Sequence, residues 1–478
     1  MKYHIVQLGC QMNISDGERV QQVLEGMGFS ATDKEQEADI LGVIACSVRQ
    51  KGIDKVYNKV ATWNKWKSRK NLITFVSGCV LPADKLKFLK LFDLVFPVSQ
   101  LPQLPEMISQ YGIVTPAAMQ TLDAGFADLV KTQEQVAPNP AAFRLDAAAY
   151  HPTHVDIAPQ KPEEHIEEFW HIAPKYGSGF EAFIPIQNGC NKFCTYCAVP
   201  YTRGREVSRP SAEIMNELKH LVKQGFKAIT LLGQNVNSYG LDKKGEEISF
   251  ARLLEKIGAY GDESEEEFRV YFTSPHPRDM TDDVIEMVAR YNSLAKQIHL
   301  PVQSGDNHVL VRMNRNHDMG RYREIVKTIR RLIPEATLFT DIIVGFTGET
   351  EAEFENTMKI MEEFKYNMAY IAQYSPRPGA ASSRWADDVP KEEKKERYHR
   401  LTTEMMKHSL VYNKELIGHT MKVLVRGNDR KAGYLSAYTE GRVVARFASD
   451  NNDLIGQYVN IKITSAAPLS IEGELITN

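Results

Sequence analysis

The stretch that most constrains the fold is Gly189-Cys190-Asn191-Lys192-Phe193-Cys194-Thr195-Tyr196-Cys197. It places three thiols in a Cys-x3-Cys-x2-Cys pattern directly after a predicted buried strand. A structural zinc site normally takes four protein ligands, and no fourth Cys or His stands nearby in the sequence. Three thiolates instead suit a [4Fe-4S] cluster with one iron open to another ligand. The pattern therefore favours a cluster, with structural zinc as the alternative.

The sequence around these thiols alternates strands and helices. Such repetition is typical of a complete or partial β/α barrel, whose site lies at the carboxyl ends of the strands. The six predicted strands are Ala182 to Gln187, Ala228 to Gly233, Phe268 to Thr273, Gln297 to Pro301, Leu338 to Val344 and Met368 to Tyr374. Polar residues follow several of them, although loops are polar in general. They are Gln234, Asn235, Ser274, His276, Gln303, Ser304, Tyr374 and Ser375.

A second set of thiols lies in the first 112 residues, where strands again alternate with helices. This alternation predicts a parallel sheet with crossover helices. Cys10, Cys46 and Cys79 each follow the end of a predicted strand. Because neighbouring strands lie about 4.8 Å apart, three thiols at the carboxyl edge can converge on one small object. Together they suggest a second three-thiolate cluster, although each cysteine taken singly is more often an ordinary buried residue.

The remaining parts of the chain predict a linker and a small β domain. Residues 113–178 lose the strand and helix rhythm and are rich in Ala, Pro and acidic residues, so we expect a linker or inserted segment. A charged helix is predicted from Lys391 to Tyr412, and short alternating strands after His419 predict a small OB-like β-barrel. Residues 420–448 hold six Lys or Arg against two acidic residues. This basic face favours binding of an RNA backbone, with a solvated charged face as the alternative.

The composition fits a multidomain globular protein. The chain has 478 residues, of which 43% are hydrophobic and 25% charged, and its net charge is −3. Two to four domains are expected at about 150 residues each, and any RNA binding must come from a local basic surface. We find no signal peptide and no membrane span of about 18 apolar residues. We therefore expect a cytoplasmic protein, in which the six cysteines bind metal or react rather than form disulfides.

Three motifs resemble those of the radical S-adenosylmethionine (SAM) methylthiotransferases, and the tRNA-modifying MiaB type most closely. They are Gln7-Leu8-Gly9-Cys10-Gln11-Met12-Asn13-Ile14-Ser15-Asp16, Val199-Pro200-Tyr201-Thr202-Arg203-Gly204-Arg205-Glu206-Val207-Ser208-Arg209-Pro210 and Leu231-Leu232-Gly233-Gln234-Asn235-Val236-Asn237-Ser238-Tyr239. The resemblance covers nearly the whole chain. It implies an α/β fold with an N-terminal methylthiotransferase domain (1–112), a linker or insert (113–178), a partial TIM-like radical SAM barrel (179–408) and a TRAM β-barrel (409–478).

The resemblance implies transfer of a methylthio group to C2 of an N6-isopentenyl-type adenosine beside the tRNA anticodon. It implies SAM and two [4Fe-4S] clusters as cofactors, and an external electron donor and the anticodon stem-loop as partners, while the sulfur donor stays open. The auxiliary cluster would be held by Cys10, Cys46 and Cys79, and the SAM-cleaving cluster by Cys190, Cys194 and Cys197. The SAM side of the barrel would be lined by Tyr196, Gln234, Asn235, Ser274, His276 and Gln303.

Six arginines are predicted to hold RNA phosphates. Arg203, Arg205 and Arg209 follow the barrel cysteines, and internal ion pairs are their alternative role. Arg426, Arg442 and Arg446 belong to the basic face of the small β-barrel.

Two rival substrates lie within the family and one rival lies outside it. The family rivals are threonylcarbamoyl adenosine in tRNA and an aspartate of a ribosomal protein. Cys10-Gln11-Met12-Asn13 and Thr202-Arg203-Gly204-Arg205-Glu206 favour isopentenyl adenosine, although Ile44-Ala45 stands where the family usually has Asn-Thr. The outside rival is a non-catalytic RNA-binding iron-sulfur protein, and the intact Cys-x3-Cys-x2-Cys motif speaks against it.

Overall fold

The computed structural model describes residues 1–46, 50–111 and 166–476, and the chain divides into two units. The first unit is Met1–Gly177 with Ala198–Arg205, and the second is Ser178–Cys197 with Glu206–Asn478. Most of the predicted linker, residues 113–165, lies outside the described residues, as does residue 112. Within the described residues, no helix is both long and apolar enough to cross a membrane.

A five-stranded parallel sheet forms the first unit, which confirms the predicted N-terminal fold. Its order is β2-β1-β3-β4-β5. The strands are β1 (Lys2–Gln7), β2 (Ser30–Ala31), β3 (Ile40–Cys46), β4 (Ile73–Cys79) and β5 (Leu94–Val95). The helices are α1 (Gln11–Gly26), α2 (Gln50–Lys67), α3 (Pro82–Phe88), α4 (Leu104–Ser109), α5 (Ile166–Trp170) and α6 (Val199–Arg203). Buried residues of β3, β4 and α2, with Phe88 of α3, form one apolar core.

The sequence misplaces some element ends in this unit. The apolar run from Leu94 to Val98 predicts a strand, but in the structure the strand ends at Val95 and a 3-10 helix runs over Val98–Gln103. Pro97, which precedes this helix, has no backbone N–H for a strand ladder, so the chain leaves the sheet there. Cys46 and Cys79 are the last residues of their strands rather than the residues after them.

A glycine in β3 makes room for the ring of its cross-strand neighbour in β4. A Cβ at Gly42 would lie 2.1 Å from Cζ of Phe75, a fully buried ring in β4. We therefore expect Gly42→Ala to lower the free energy of unfolding by about 1–3 kcal/mol, because the ring must move in a full core. Urea unfolding measures this. Gly26→Ala is the matched control, since nothing lies within 4 Å of its Cβ, and an equal loss in both variants would contradict the crowding explanation.

Six parallel strands form the barrel of the second unit, with helices between them as predicted. They make two sheets of order β10-β9-β6 and β11-β12-β13, joined by a bridge between Val270 and Leu294. The strands are β6 (Glu181–Pro185), β9 (Ala228–Leu232), β10 (Arg269–Phe272), β11 (Gln297–His299), β12 (Thr337–Val344) and β13 (Met368–Gln373), with a β7–β8 ribbon (Gln187–Asn188, Val207–Ser208). The helices are α7 (Ser211–Lys223), α8 (Phe250–Glu263), α9 (Asp282–Arg290), α10 (Asn307–Arg312), α11 (Met319–Leu332) and α12 (Glu351–Phe364).

A long helix and a closed β-barrel complete the second unit. Helix α13 (Lys391–Glu415) leads into a five-stranded barrel of order β14-β15-β16-β18-β17. Its strands are β14 (Thr420–Asn428), β15 (Tyr434–Thr439), β16 (Val444–Ala448), β17 (Tyr458–Ala467) and β18 (Ser470–Leu475). Alternate residues of these strands fill its core. The predicted small OB-like barrel is confirmed, and the predicted boundary between residues 408 and 409 lies inside α13.

Candidate functional site

The first unit brings the ends of three elements together around Cys10, Cys46 and Cys79, here called the sheet triad. Cys46 and Cys79 are register partners at the carboxyl ends of β3 and β4, and Cys10 is the N-cap of α1. Cys46 and Cys79 are buried, whereas Cys10 is exposed. The parallel register explains this placement, because equal strand lengths bring the last residues of both strands to the same edge.

A buried asparagine joins the three parts of the sheet triad. Asn13 Oδ1 lies 3.4 Å from Cys10 Sγ and 4.0 Å from Cys79 Sγ, and its Nδ2 donates to Ala45 O at 2.6 Å. Two glycines make the close approach possible. A Cβ at Gly9 would lie 2.8 Å from Asn13, and one at Gly78, with φ 98°, would lie 2.5 Å from Ala45 O.

Arg203 brings a positive charge to the sheet triad. Its Nε donates to Cys79 Sγ at 3.0 Å, and its Nη2 pairs with Asp16 Oδ2. The side chains of Arg203 and Asp16 are 2% and 0% exposed. Burial raises the pKa of the Cys79 thiol to about 12, while the Arg203 charge acts in the opposite direction. The buried guanidinium therefore favours the thiolate, which is the form that binds metal.

The sheet triad suits a cluster better than a single metal ion. Among the described residues, no three or more His, Cys, Asp or Glu side chains are grouped to hold one ion. In an iron-sulfur cluster the thiolates bind different irons, so they need not meet at one point. The strand-end thiols and the adjacent cation fit such a charged group.

The second set of thiols, Cys190, Cys194 and Cys197, is here called the barrel triad, and it lies in a loop just after β7. Phe193 has a positive φ of 49°, which turns the chain between the first two cysteines. Thr195 N donates to Met313 O at 3.0 Å, and Thr195 Oγ1 donates to Arg312 O at 2.8 Å. Asn314 Nδ2 donates to Phe193 O at 3.0 Å. The chain after α10 therefore holds the loop in place.

A buried arginine also accompanies the barrel triad. Arg315 Nη1 lies 3.5 Å from both Cys194 Sγ and Tyr196 Oη, and its Nη2 donates to Pro301 O at 2.8 Å. Burial raises the pKa of the Cys190 thiol to about 12. The ring of Tyr196 lies edge-on to Phe346, with centroids 6.5 Å apart. Tyr196 therefore packs between the barrel triad and Phe346, and its contact with SAM stays a prediction.

The polar residues predicted on the SAM side lie at the ends of β9 to β11. Gln234 Oε1 accepts from Gly189 N at 2.5 Å, and Asn237 bonds the backbone of His276 in both directions. Gln303 is buried and bridges to β12. Ser274 is exposed, and both it and Gln303 have positive φ, at 61° and 71°. These strained positions at the strand ends are typical of functional sites.

Several buried polar atoms near this strand edge have no hydrogen-bond partner among the described residues, and two of them belong to residues predicted on the SAM side. These two atoms are Asn235 Oδ1 and His276 Nε2. His276 Nδ1 accepts a hydrogen bond from Arg278 N at 3.1 Å, and burial lowers the pKa of the ring. The ring is therefore neutral with its proton on Nε2, and it can donate to a bound ligand. These atoms suit a polar ligand such as SAM.

Several residues of both sites were not singled out from the sequence. They are Asn13, Asp16, Lys192, Asp279 and Arg315. Lys192 Nζ and Asp279 Oδ2 form a buried ion pair at 2.5 Å, and Asn235 Nδ2 donates to the same carboxylate at 3.0 Å. Asn13 and Lys192 lie within the quoted cysteine motifs, so their proximity to the thiols was a usable signal. Asp16 also lies in a quoted motif, but nothing local showed that it pairs with Arg203.

The structure places the first three predicted RNA arginines differently from one another. Arg203 lies in the internal ion pair with Asp16, and Arg209 is buried against Glu213 at 3.1 Å and against Glu217. Arg205 is exposed. Internal ion pairs were the alternative that the sequence left open for these residues, and Arg203 and Arg209 adopt it here. Phosphate contact stays a prediction, best supported for Arg205 by its exposure.

The three arginines of the small β-barrel also lie beside carboxylates. Arg426 Nε donates to Glu181 Oε2 at 2.9 Å, and Arg442 Nη1 donates to Glu181 Oε1 at 3.2 Å. The Arg442 guanidinium lies 3.8 Å from the ring centroid of Tyr271. Arg446 Nε lies 3.2 Å from Glu472 Oε2. A phosphate must therefore compete with these acids.

Comparisons with known proteins agree with this architecture. Residues 2–97 match an uncharacterized protein family, UPF0004, residues 184–361 match the radical SAM superfamily, and residues 414–476 match the TRAM domain. Two tRNA-2-methylthio-N(6)-dimethylallyladenosine synthases are similar along nearly their whole length. That of Cronobacter sakazakii is 36% identical, covering 99% of this chain and 92% of its own. That of Geobacter metallireducens is 37% identical, covering 99% and 98%.

Among solved structures, one match is weak in both sequence and structure. The radical SAM methyltransferase TsrM from Kitasatospora setae is 11% identical, with a TM-score of 0.49, over 90% of this chain and 79% of its own.

Proposed function

Because the chain belongs to the radical SAM methylthiotransferase family, we propose that it adds a methylthio group to C2 of N6-isopentenyladenosine next to the tRNA anticodon. It is a transferase, and its radical SAM domain uses SAM and a [4Fe-4S] cluster. The sequence similarity over the full length carries this proposal. The sheet triad supports it, since it provides a second set of thiols apart from the SAM-cleaving motif.

The target C–H bond explains the need for radical chemistry. It is aromatic and unactivated, so acid-base chemistry cannot remove its hydrogen, whereas a primary carbon radical can. In our proposal, Cys190, Cys194 and Cys197 would hold a cluster that would supply the electron for cleavage of SAM to that radical. Cys10, Cys46 and Cys79 would hold a second cluster, which would carry the sulfur that receives a methyl group from another SAM molecule before transfer. An external one-electron donor would supply the electron. We place the protein in the cytoplasm.

The residues around the barrel triad bind and orient SAM in this proposal. His276 donates a hydrogen bond from Nε2, and Asn235 accepts one at Oδ1, which supplies the buried atoms with the partners that they lack among the described residues. Tyr196 and Gln303 flank the thiols and the strand edge. Lys192 and Asp279 neutralise each other, so they fix Asn235 without adding net charge to the site.

Mass spectrometry of tRNA nucleosides tests the proposed function. Deleting the gene in its host should remove 2-methylthio-N6-isopentenyladenosine and leave N6-isopentenyladenosine in its place, and the wild-type gene should restore it. Loss of the methylthio group from threonylcarbamoyl adenosine or from a ribosomal-protein aspartate would assign one of the rival substrates instead. Unchanged nucleosides and ribosomal proteins would contradict all three, and the protein would then be a non-catalytic iron-sulfur protein.

Phosphate binding by the small β-barrel is a further expectation. Replacing Arg426, Arg442 and Arg446 with Gln should weaken tRNA binding and reduce the salt dependence of log K by about one unit per lost contact. SAM cleavage without tRNA should continue. Filter binding at several salt concentrations measures the affinity for tRNA and its salt dependence.

The matched control for this prediction is Glu181→Gln. It removes the carboxylate that occupies both Arg426 and Arg442, so RNA affinity should rise if these arginines reach phosphates. A fall in affinity would show that the ion pairs serve only to join the small β-barrel to the rest of its unit.

A further inference from the structure

We propose that Arg203 is a positioning residue for the auxiliary cluster, which it serves by holding the Cys79 sulfur and lending it positive charge. The inference rests on the proposed function, which assigns Cys79 to that cluster. Arg203 Nε donates to Cys79 Sγ at 3.0 Å, and this is the contact that carries the inference. Hydrogen bonds to cluster sulfurs are among the factors that set reduction potentials.

The surroundings of Arg203 make the contact specific. Asp16 binds Nη2, so it orients the guanidinium plane and leaves Nε directed at the sulfur. Both side chains are buried, so water screens the Arg203 charge at Cys79 little. Lysine carries a similar charge but has a single ammonium, which cannot bind the carboxylate and the sulfur in this forked geometry. The charges of Asp16 and Arg203 therefore have opposite electrostatic effects on the Cys79 sulfur.

The test isolates the auxiliary cluster in the full-length protein. All variants are made in a background in which Cys190, Cys194 and Cys197 are alanine, and they are reconstituted with iron and sulfide without air. The midpoint potential is read by an EPR-monitored redox titration, and iron loss to a chelator is timed. Thermal unfolding reports stability separately. If the background protein takes up no iron, the proposed function of the sheet triad fails, whereas the Arg203 inference is judged only on loaded protein.

We expect opposite shifts from the two partners. Arg203→Met should move the potential to more negative values and speed iron loss about tenfold or more, and Arg203→Lys should restore part of the potential. Asp16→Asn should move the potential in the positive direction, since Arg203 keeps its charge. Arg203→Met alone leaves the buried Asp16 carboxylate without its partner. The double variant with Asp16→Asn removes that charge as well, and its midpoint potential should still be more negative than that of the background protein.

A purely structural role predicts a different result. Arg203 would then serve only to neutralise Asp16, and the double variant would have the potential and the iron-loss rate of the background protein. That result would overturn the inference. An unchanged potential in a loaded Arg203→Met variant would also overturn it.

A different observation supports a second proposal, that the surface of α2 and α3 binds the RNA backbone. Residues 54–90 hold nine Lys or Arg and two acidic residues in a chain of net charge −3. Six of these basic residues are exposed, and within the described part of the chain no carboxylate is paired with them. We call them the α2–α3 surface: Lys55, Lys65, Arg69, Lys85, Lys87 and Lys90.

The packing of the two helices makes this one surface. The rings of Tyr57 and Phe88 lie 5.4 Å apart, and Asn64 Nδ2 donates to Leu91 O at 3.1 Å. Helix α3 begins three residues after Cys79, so it starts beside the sheet triad. A phosphate backbone fits best, because a polyanion gains from many unpaired cations while releasing its own counterions.

Binding of an anticodon stem-loop RNA tests this proposal, which also rests on the proposed function. Changing all six residues to Gln should weaken binding about tenfold or more and flatten its salt dependence by several units. The matched control changes six exposed basic residues of the second unit to Gln: Lys223, Lys244, Lys327, Arg331, Lys391 and Lys395. Equal effects of the two sets, or none from the first, would overturn the proposal. Absence of RNA binding by the wild type would instead count against the proposed function.

Discussion

Alanine at Cys190, Cys194 and Cys197 is expected to abolish reductive SAM cleavage and to leave about four of about eight irons in the reconstituted protein. These thiols are the only cysteines in the barrel loop, so their loss leaves the SAM-cleaving cluster without protein ligands. Production of 5′-deoxyadenosine in the presence of dithionite, measured by mass spectrometry, should fall to the background rate. Iron analysis reports the number of clusters.

A variant of the same loop provides the control. Phe193 is 48% exposed, and Asn tolerates its positive φ. Phe193→Asn should therefore keep both iron and SAM cleavage. Zinc in place of iron after anaerobic purification would contradict the assignment, and so would SAM cleavage by the triple variant.

The second large effect is expected at Cys10. We expect Cys10→Ala to abolish methylthio-tRNA formation while SAM is still cleaved to 5′-deoxyadenosine, because the barrel triad remains intact. The exposure of Cys10 makes this substitution more decisive than one at Cys46 or Cys79. Removing an exposed thiol costs little packing energy, so a folding defect cannot explain the loss.

The measurement compares two products of one reaction mixture. Methylthio nucleoside and 5′-deoxyadenosine are quantified together, and thermal unfolding verifies the fold. Methylthio product from Cys10→Ala would refute the role of the sheet triad. Loss of SAM cleavage with the barrel cluster still present would refute the separation of roles. Cys46→Ala should give the same pattern, with an added loss of stability because Cys46 is buried.

Much of this architecture could be predicted because it depends on local patterns. Strand and helix periodicities located both β/α regions and the small β-barrel, and the Cys-x3-Cys-x2-Cys spacing identified the barrel triad within eight residues. The sheet triad was also predictable, although its cysteines are far apart in the sequence. Each of them ends or follows a strand, and parallel strands bring their carboxyl ends to one edge.

The roles of the arginines depended on contacts that no local pattern encodes. The sequence shows that Arg203 is a cation in a basic motif, which suggested a phosphate ligand. The fold places it beside Cys79, 124 positions away, and beside Asp16, 187 positions away. Likewise Arg426 and Arg442 meet Glu181 across more than 240 positions.

The physical reason is that the sequence shows the charge of a side chain but not the group that this side chain contacts. Composition and periodicity by themselves determined the strands, the helices and the two sets of thiols, because hydrophobic burial and backbone geometry act over a few residues. A charged side chain has no such preference along the chain. Its partner is whichever opposite charge or sulfur the packed strands and loops bring within about 4 Å, and the low polarity of a buried site then makes that contact strong. Only the tertiary structure decided which arginines lie inside the protein and which face solvent.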